Sequence, residues 1–247
     1  MSSIRLLILT LLFLLIAIAS GRLLARDVFL TFHLEIDRNV YDETDYGAAP
    51  QFVVWLESPD GEHIRTVWIT RRTGQGDWEG AFERLTSLPY WVARYNKETG
   101  TKGAPTFATP VADAITGPTP KKEFRTFVKV PEGSTWKVFV EVNASGDYNR
   151  GFPRTLPNGA PDSDGNGQPS IVYSCAIDAT EGASAVPTLI GRTEQFHVTG
   201  RLNPEVESIT TAADLLPKIE VKCVANGEQK TRIDGKTPES PVRREGS

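Results

Sequence analysis

Three groups of residues in this chain have types and spacings that could do chemistry. Asp162-Ser163-Asp164-Gly165-Asn166-Gly167 places oxygens at alternate positions and Gly at the sharp turn, as a calcium loop of the helix–loop–helix kind begins. The twelfth position of such a loop should be a bidentate Glu, and here it is Tyr173. A complete site of that kind is therefore excluded. What remains is a looser site on Asp162, Asp164 and Asn166 finished by a distant carboxylate, or a solvated, turn-rich loop. The second group is the cysteine pair, Cys175 and Cys223. In an oxidising compartment they could close one disulfide, removing on the order of 4 kcal/mol of unfolded-state entropy. The alternative is two buried thiols. The third is the stretch Val111 to Pro120, VADAITGPTP, whose Asp113, Thr116, Gly117 and Thr119 put hydroxyls beside a small residue in a loop.

Other chemistry is not supported. No Ser sits in a Gly-x-Ser-x-Gly elbow, and no Gly-rich loop follows a strand to open a helix. His33, His63 and His197 are not at zinc-ligand spacing to either cysteine. Formal net charge is -4 with no basic block before the extreme tail, so no nucleic-acid-binding face is visible. The chain reads as a non-enzyme, with no certain cofactor.

The elements that must position these residues are strands. Residues 28–36 alternate, as do 51–57 and 64–70, the last two around the turn Ser58-Pro59-Asp60-Gly61, which predicts a hairpin. Residues 124–130 and 135–142 alternate around Pro131-Glu132-Gly133-Ser134, predicting a second hairpin. Further strands are expected at 170–177, 193–198 and 218–224, with a helical turn at 210–216. Ser87-Leu88-Pro89 opens a short helix that should be an insertion or a cap over one end. Residues 97–111 and 144–168 read as loops. Seven or more short strands separated by turns argue an all-β, antiparallel, Ig-like β-sandwich with one short helical insertion over residues 26–224. Residues 181–224 either complete the sandwich or add an edge hairpin. No Trp lies between the two cysteines, so any likeness to antibody domains is architectural. The 17 Pro and 21 Gly fit many short elements, and 39% hydrophobic with 23% charged residues is ordinary for a globular chain of 247 residues.

The ends differ from this domain. Met1 to Arg5 carries one positive charge, Leu6 to Ala19 is almost wholly apolar, and Ala17-Ile18-Ala19 offers small residues where an export protease cuts. Residues 1–25 therefore predict a signal peptide or an N-terminal membrane anchor, placing the domain on the periplasmic or extracellular side. No Cys follows the apolar run, which excludes a lipoprotein anchor. Residues 225–247 are charged and poor in apolar groups and are expected to be disordered.

Two resemblances follow from these motifs. Asp113-Ala114-Ile115-Thr116-Gly117-Pro118-Thr119 resembles the acceptor motif of exported flavin carriers, in which a flavin transferase moves FMN from FAD to the hydroxyl of the last Thr. The resemblance implies Thr119 as acceptor, with Asp113, Thr116 and Gly117 shaping the loop. Tyr90, Trp91 and Phe107 could pack on the ring or serve simply as core or cap. Pro118 replaces the usual Ala, fixing φ and removing a backbone donor. More broadly, VVWLESPDGEHIRTVWI (53–69), VADAITGPTP (111–120), VFVEVNASGDYN (138–149) and GQPSIVYSCAID (167–178) together resemble the exported bacterial proteins grouped as domain of unknown function 2271. The hairpin is also similar to the Ig-like domain of the flagellar hook-capping protein. The first resemblance implies a covalent FMN carrier. The second implies a β-sandwich outside the cytoplasm, found alongside membrane redox proteins and flavin transferases, and no established activity. The chain itself reads as a non-catalytic binding or accessory module beside membrane-bound redox proteins.

Overall fold

In the computed structural model, which describes residues 26–43, 49–76, 87–112, 114–162 and 167–225, the period-two pattern of β1 (Asp27–Glu35) sets the frame. Val28, Leu30, Phe32 and Leu34 are buried and the residues between them half-buried, as a strand with one apolar face requires. β1 is flanked by β5 (Glu123–Pro131) and β10 (Lys218–Ala225), both antiparallel to it. The two-residue β8 (Ser184–Ala185) extends β10 and completes a four-stranded sheet ordered β5-β1-β10-β8. The opposing sheet has six strands, ordered β4-β3-β2-β6-β7-β9. These are β2 (Gln51–Glu57), β3 (Ile64–Thr70), β4 (Ile115–Gly117), β6 (Thr135–Asn143), β7 (Ile171–Asp178) and β9 (Thr188–Arg192). Every named strand pairing is antiparallel except β3 with β4. The core between the sheets is built from the inward residues of β1, β5 and β10 against Phe52, Val54, Leu56, Val138, Val140, Val142, Ile171 and Tyr173. The chain is thus an all-β sandwich with a few short helices. β10 lies between β1 and β8, so residues 218–225 help complete the core.

The β2–β3 hairpin forms as expected, with a bulge at Val54 and Trp55. Its turn is closed by Gly61 N–H to the Ser58 carbonyl, with Gly61 at φ +73°. The expected hairpin of β5 and β6 does not form. β5 pairs with β1 and β6 with β2, so residues 131–134 arch from one sheet to the other. Alternation tells which side chains point inward but not whether two such strands share a sheet or face each other across the core. The expected strand at 193–198 is also displaced. β9 ends at Arg192, and Val198 is exposed rather than packed.

The helices are α1 (Arg38–Asp42), α2 (Arg71–Gln75), α3 (Pro89–Thr99) and α4 (Ala212–Leu215). α3 is not a cap over one end. It lies on the outer face of the six-stranded sheet, where Val53, Trp55, Ile69, Phe139 and Val172 pack with Leu88, Trp91 and Val92 in a second apolar cluster. That layer explains why all seven residues of β2 are buried. No helix among the described residues is long and apolar enough to cross a membrane. The expected leader (1–25) and all of the expected tail but Ala225 lie outside the described residues.

Candidate functional site

Strand direction gives the sandwich two distinct ends. β1 begins where β10 finishes, with Val28 opposite Ala225. The other end gathers the start of β2, the ends of β3, β4 and β6, the start of β7 and the β4–β5 linker. Of the sequence-predicted site residues, Thr116, Gly117 and Thr119 lie at this second end.

The 115–119 segment begins as β4, paired to β3 with Ile115, Thr116 and Gly117 opposite Trp68, Ile69 and Thr70. The Thr116 hydroxyl accepts from Gln75 Nε2 at 2.8 Å. Gly117 lies against Trp68, whose indole nitrogen would be 3.5 Å from a Cβ there. Pro118 is exposed, and the half-buried Thr119 donates from its hydroxyl to the Pro50 carbonyl at 2.9 Å. Thr116, Gly117 and Thr119 therefore share one open sheet edge, while Asp113 lies outside the described residues. Of the three aromatics expected to pack on a flavin, Tyr90 and Trp91 belong to α3 and are buried against the six-stranded sheet. Phe107 is 82% exposed on a turn closed by mutual Thr106–Thr109 backbone bonds. This turn presses on Gly76 at the end of α2. α2 joins the Phe107 turn to Thr116, through Gly76 and Gln75; Ile115 is also exposed but lies opposite Trp68, on the other face of β4.

Two buried acids at or near this end were not recognised from sequence. Glu141 faces the outer side of β6, beneath α3. The residue before α3, Leu88, has no capping side chain, and Pro89 is at the first helical position. The orphan donors are met from across the fold: Tyr90 N–H donates to Glu141 Oε1 at 3.1 Å and Trp91 N–H to Oε2 at 2.7 Å. Ser170 Oγ donates to Oε1 at 2.6 Å and is itself bonded to the Thr193 hydroxyl. Complete burial pushes the carboxyl up to about 7, against the opposing pull of Ser170, Trp91, Tyr90 and Arg94. Four residues further along the same face, opposite Lys137, Glu57 accepts from Trp55 Nε1 at 2.9 Å and pairs with Arg94 Nε at 2.7 Å. The Arg94 contact is an ion pair without hydrogen-bond alignment, because Nε has no hydrogen-bond partner. The guanidinium also lies 3.3 Å from the Tyr90 ring centre. The signal in the sequence is Val53, Trp55 and Phe139, apolar residues on the face that also carries Glu57, Lys137 and Glu141.

The second acid is Asp147. Its Oδ1 accepts from Gln168 N–H at 3.0 Å, and burial pushes its carboxyl up to about 6. Gln168 ties the region together, donating from Nε2 to the Asp147 carbonyl at 2.6 Å and accepting from Thr210 N–H at 2.8 Å. Of the expected calcium ligands, Asp162 accepts from the Tyr148 hydroxyl at 2.6 Å. Asp164 and Asn166 lie outside the described residues.

Both cysteines are free thiols on opposing sheets, Cys175 half-buried in β7 and Cys223 buried in β10. Burial pushes Cys175 up to about 11 and Cys223 upward as well, which favours thiol over thiolate. No family model, curated protein or solved structure matches the chain.

Proposed function

We propose that this chain is an exported, non-catalytic β-sandwich module that works by contact, as an accessory to membrane-bound redox proteins. The observation carrying this reading is the surface formed by the Phe107 turn, α2 and β4. There Phe107 is exposed on a turn that packs on Gly76, and α2 is fixed to β4 by the Gln75–Thr116 bond. An exposed aromatic on an ordered support is the kind of anchor that protein interfaces use. Glu141 and Asp147, the two acids most strongly perturbed by burial, hold α3 and the strand-end loops rather than a reactive centre. The likeness to domain of unknown function 2271 supports the redox-associated context, and the apolar leader supports export. The leader joins at Arg26, at the opposite end from Thr119, which favours presentation of that end away from a bilayer. A photo-crosslinking residue at Phe107, in cells that make the full chain, tests the proposal. It should trap a membrane redox protein; capture confined to unrelated soluble proteins refutes it.

A second reading, a covalent FMN carrier, is favoured by the position of Thr119 on the open linker after β4. Transfer would form a phosphoester between the Thr119 oxygen and the FMN phosphorus, with AMP leaving from FAD. The Thr119 donation to Pro50 would be lost, at about 1 kcal/mol. Intact mass after co-expression with an active flavin transferase decides it. An FMN adduct absent in Thr119→Ala is expected, and an unmodified mass ends the reading.

A further inference from the structure

The two sheets end in four strands, β5, β8, β4 and β9, and three of these edges are blunted. β4 has three residues and β8 two. β9 pairs across a register shift, and Arg192 at its end is bridged to Asn203. β5 is different. It runs nine residues in unbroken register with β1, and among the described residues no strand pairs with its outer edge. The bonds that continue its ladder at either end join even-numbered residues: Ile36 N–H to the Lys122 carbonyl and Glu132 N–H to the Arg26 carbonyl. Bonding alternates along an antiparallel pair, so Arg125, Phe127 and Lys129 turn their N–H and C=O groups away from β1. Of these groups only the Lys129 carbonyl is met among the described residues, by Arg65 Nη1 at 2.7 Å.

A long, regular edge is a template for another strand. The outward side chains of β5 decide which one. Glu123, Arg125, Phe127 and Lys129 follow one another there, the three charged residues exposed and Phe127 half-buried edge-on against Phe29. This row is self-complementary in one antiparallel register, with Thr126 of two copies meeting on a two-fold axis. Glu123 then stands opposite Lys129 of the second copy and Arg125 opposite its Phe127, and each contact occurs twice. The residues so opposed are those whose backbone groups face the edge. Moving the axis to Phe127 sets Arg125 against Lys129, and moving it to Arg125 sets that residue against itself, both like-charge pairs. We propose that β5 pairs with β5 of a second copy of this chain about Thr126, joining two four-stranded sheets into one. The Lys129–Asp27 and Glu123–Arg125 ion pairs are exposed, so their exchange across the axis costs little. Arg65 must yield the Lys129 carbonyl to the Glu123 N–H of the second copy. One strand pair is a small interface, which makes the dimer a weak, transient one. The inference uses β5 alone and is independent of the partner and flavin readings.

Sedimentation of the full chain in non-ionic detergent, from micromolar to near-millimolar concentration, should show its mass rising from one chain toward two. Phe127→Pro removes no bond within the sheet, because that N–H faces outward, where an edge strand tolerates proline. It should hold the chain at one copy and leave the circular dichroism spectrum unchanged. A single-chain mass at the highest concentration overturns the proposal, as does a dimer retained in Phe127→Pro. Should that variant fail to fold, crosslinking decides. Opposed residues of the paired strands lie about 5.5 Å apart, within disulfide reach. The two copies of position 123, or of position 129, lie about 20 Å apart. Glu123→Cys and Lys129→Cys chains, mixed and mildly oxidised, should give a covalent dimer that neither gives alone. Equal yields from the mixture and from either variant alone overturn the proposal.

Discussion

Replacing Glu141 by Gln should change the pH dependence of stability more than stability itself. The carboxyl is fully buried and its pKa rises from 4.5 to about 7, because burial outweighs the donors from Ser170, Trp91 and Tyr90. A group whose folded pKa lies above its unfolded value favours folding fully below the unfolded value, and that contribution is lost as pH rises through the folded one. For Glu141 the window is pH 4.5 to 7. At about 1.4 kcal/mol per pKa unit the loss across it is about 3 kcal/mol. Gln keeps the size and one acceptor for an α3 N–H but does not titrate in this range. Urea unfolding of both proteins at pH 4.5 and pH 8 gives a double difference in which Asp147, raised from 3.8 to about 6 in the same interval, cancels. The variant should lose more stability at pH 4.5, where Glu141 is a neutral acid, than at pH 8, the two losses differing by about 3 kcal/mol. Equal losses at both pH values would refute the claim that burial dominates this carboxyl.

Two further substitutions probe the helix layer and the strand-end loop. Trp91→Ala removes a fully buried ring that stacks on Tyr95 at 5.0 Å and donates to Thr66 at 3.0 Å. It should cost about 3–5 kcal/mol in a denaturant titration, whereas a loss under about 1 kcal/mol would mean that α3 is not part of the folded core. Gly167→Ala meets a positive φ and a collision with Asp147 together, and should destabilise by more than about 2 kcal/mol; a neutral result in the same titration would contradict the close packing of that turn.

How far the sequence speaks for this fold depends on what period two can encode. In β1, with one apolar face, Val28, Leu30, Phe32 and Leu34 give both the strand and its buried side, and the β2–β3 hairpin is legible because Pro59 and Gly61 mark its turn. The same pattern is silent on what covers the other face. Val53 and Trp55 alternate with Phe52 and Val54 in an unbroken apolar run, which signals burial on both sides, but nothing in the run names α3 as the cover. Pairing is equally silent for β5 and β6, whose inward residues fit a hairpin or an arch alike. The acids mark the deeper limit. Glu141 and Asp147 look like ordinary polar positions, one on an outward face and one in a loop. Their burial comes from partners distant in the chain, Tyr90 and Trp91 in one case and Gln168 in the other. Thr119 was legible as a hydroxyl in a loop, whereas its tie to Pro50 required knowing that β2 starts where β4 ends. The residues that make this end of the sandwich distinctive are therefore those whose neighbours are set by topology. A substitution at Glu141 or Asp147 consequently tests the arrangement of the sheets as directly as it tests the chemistry of either carboxylate.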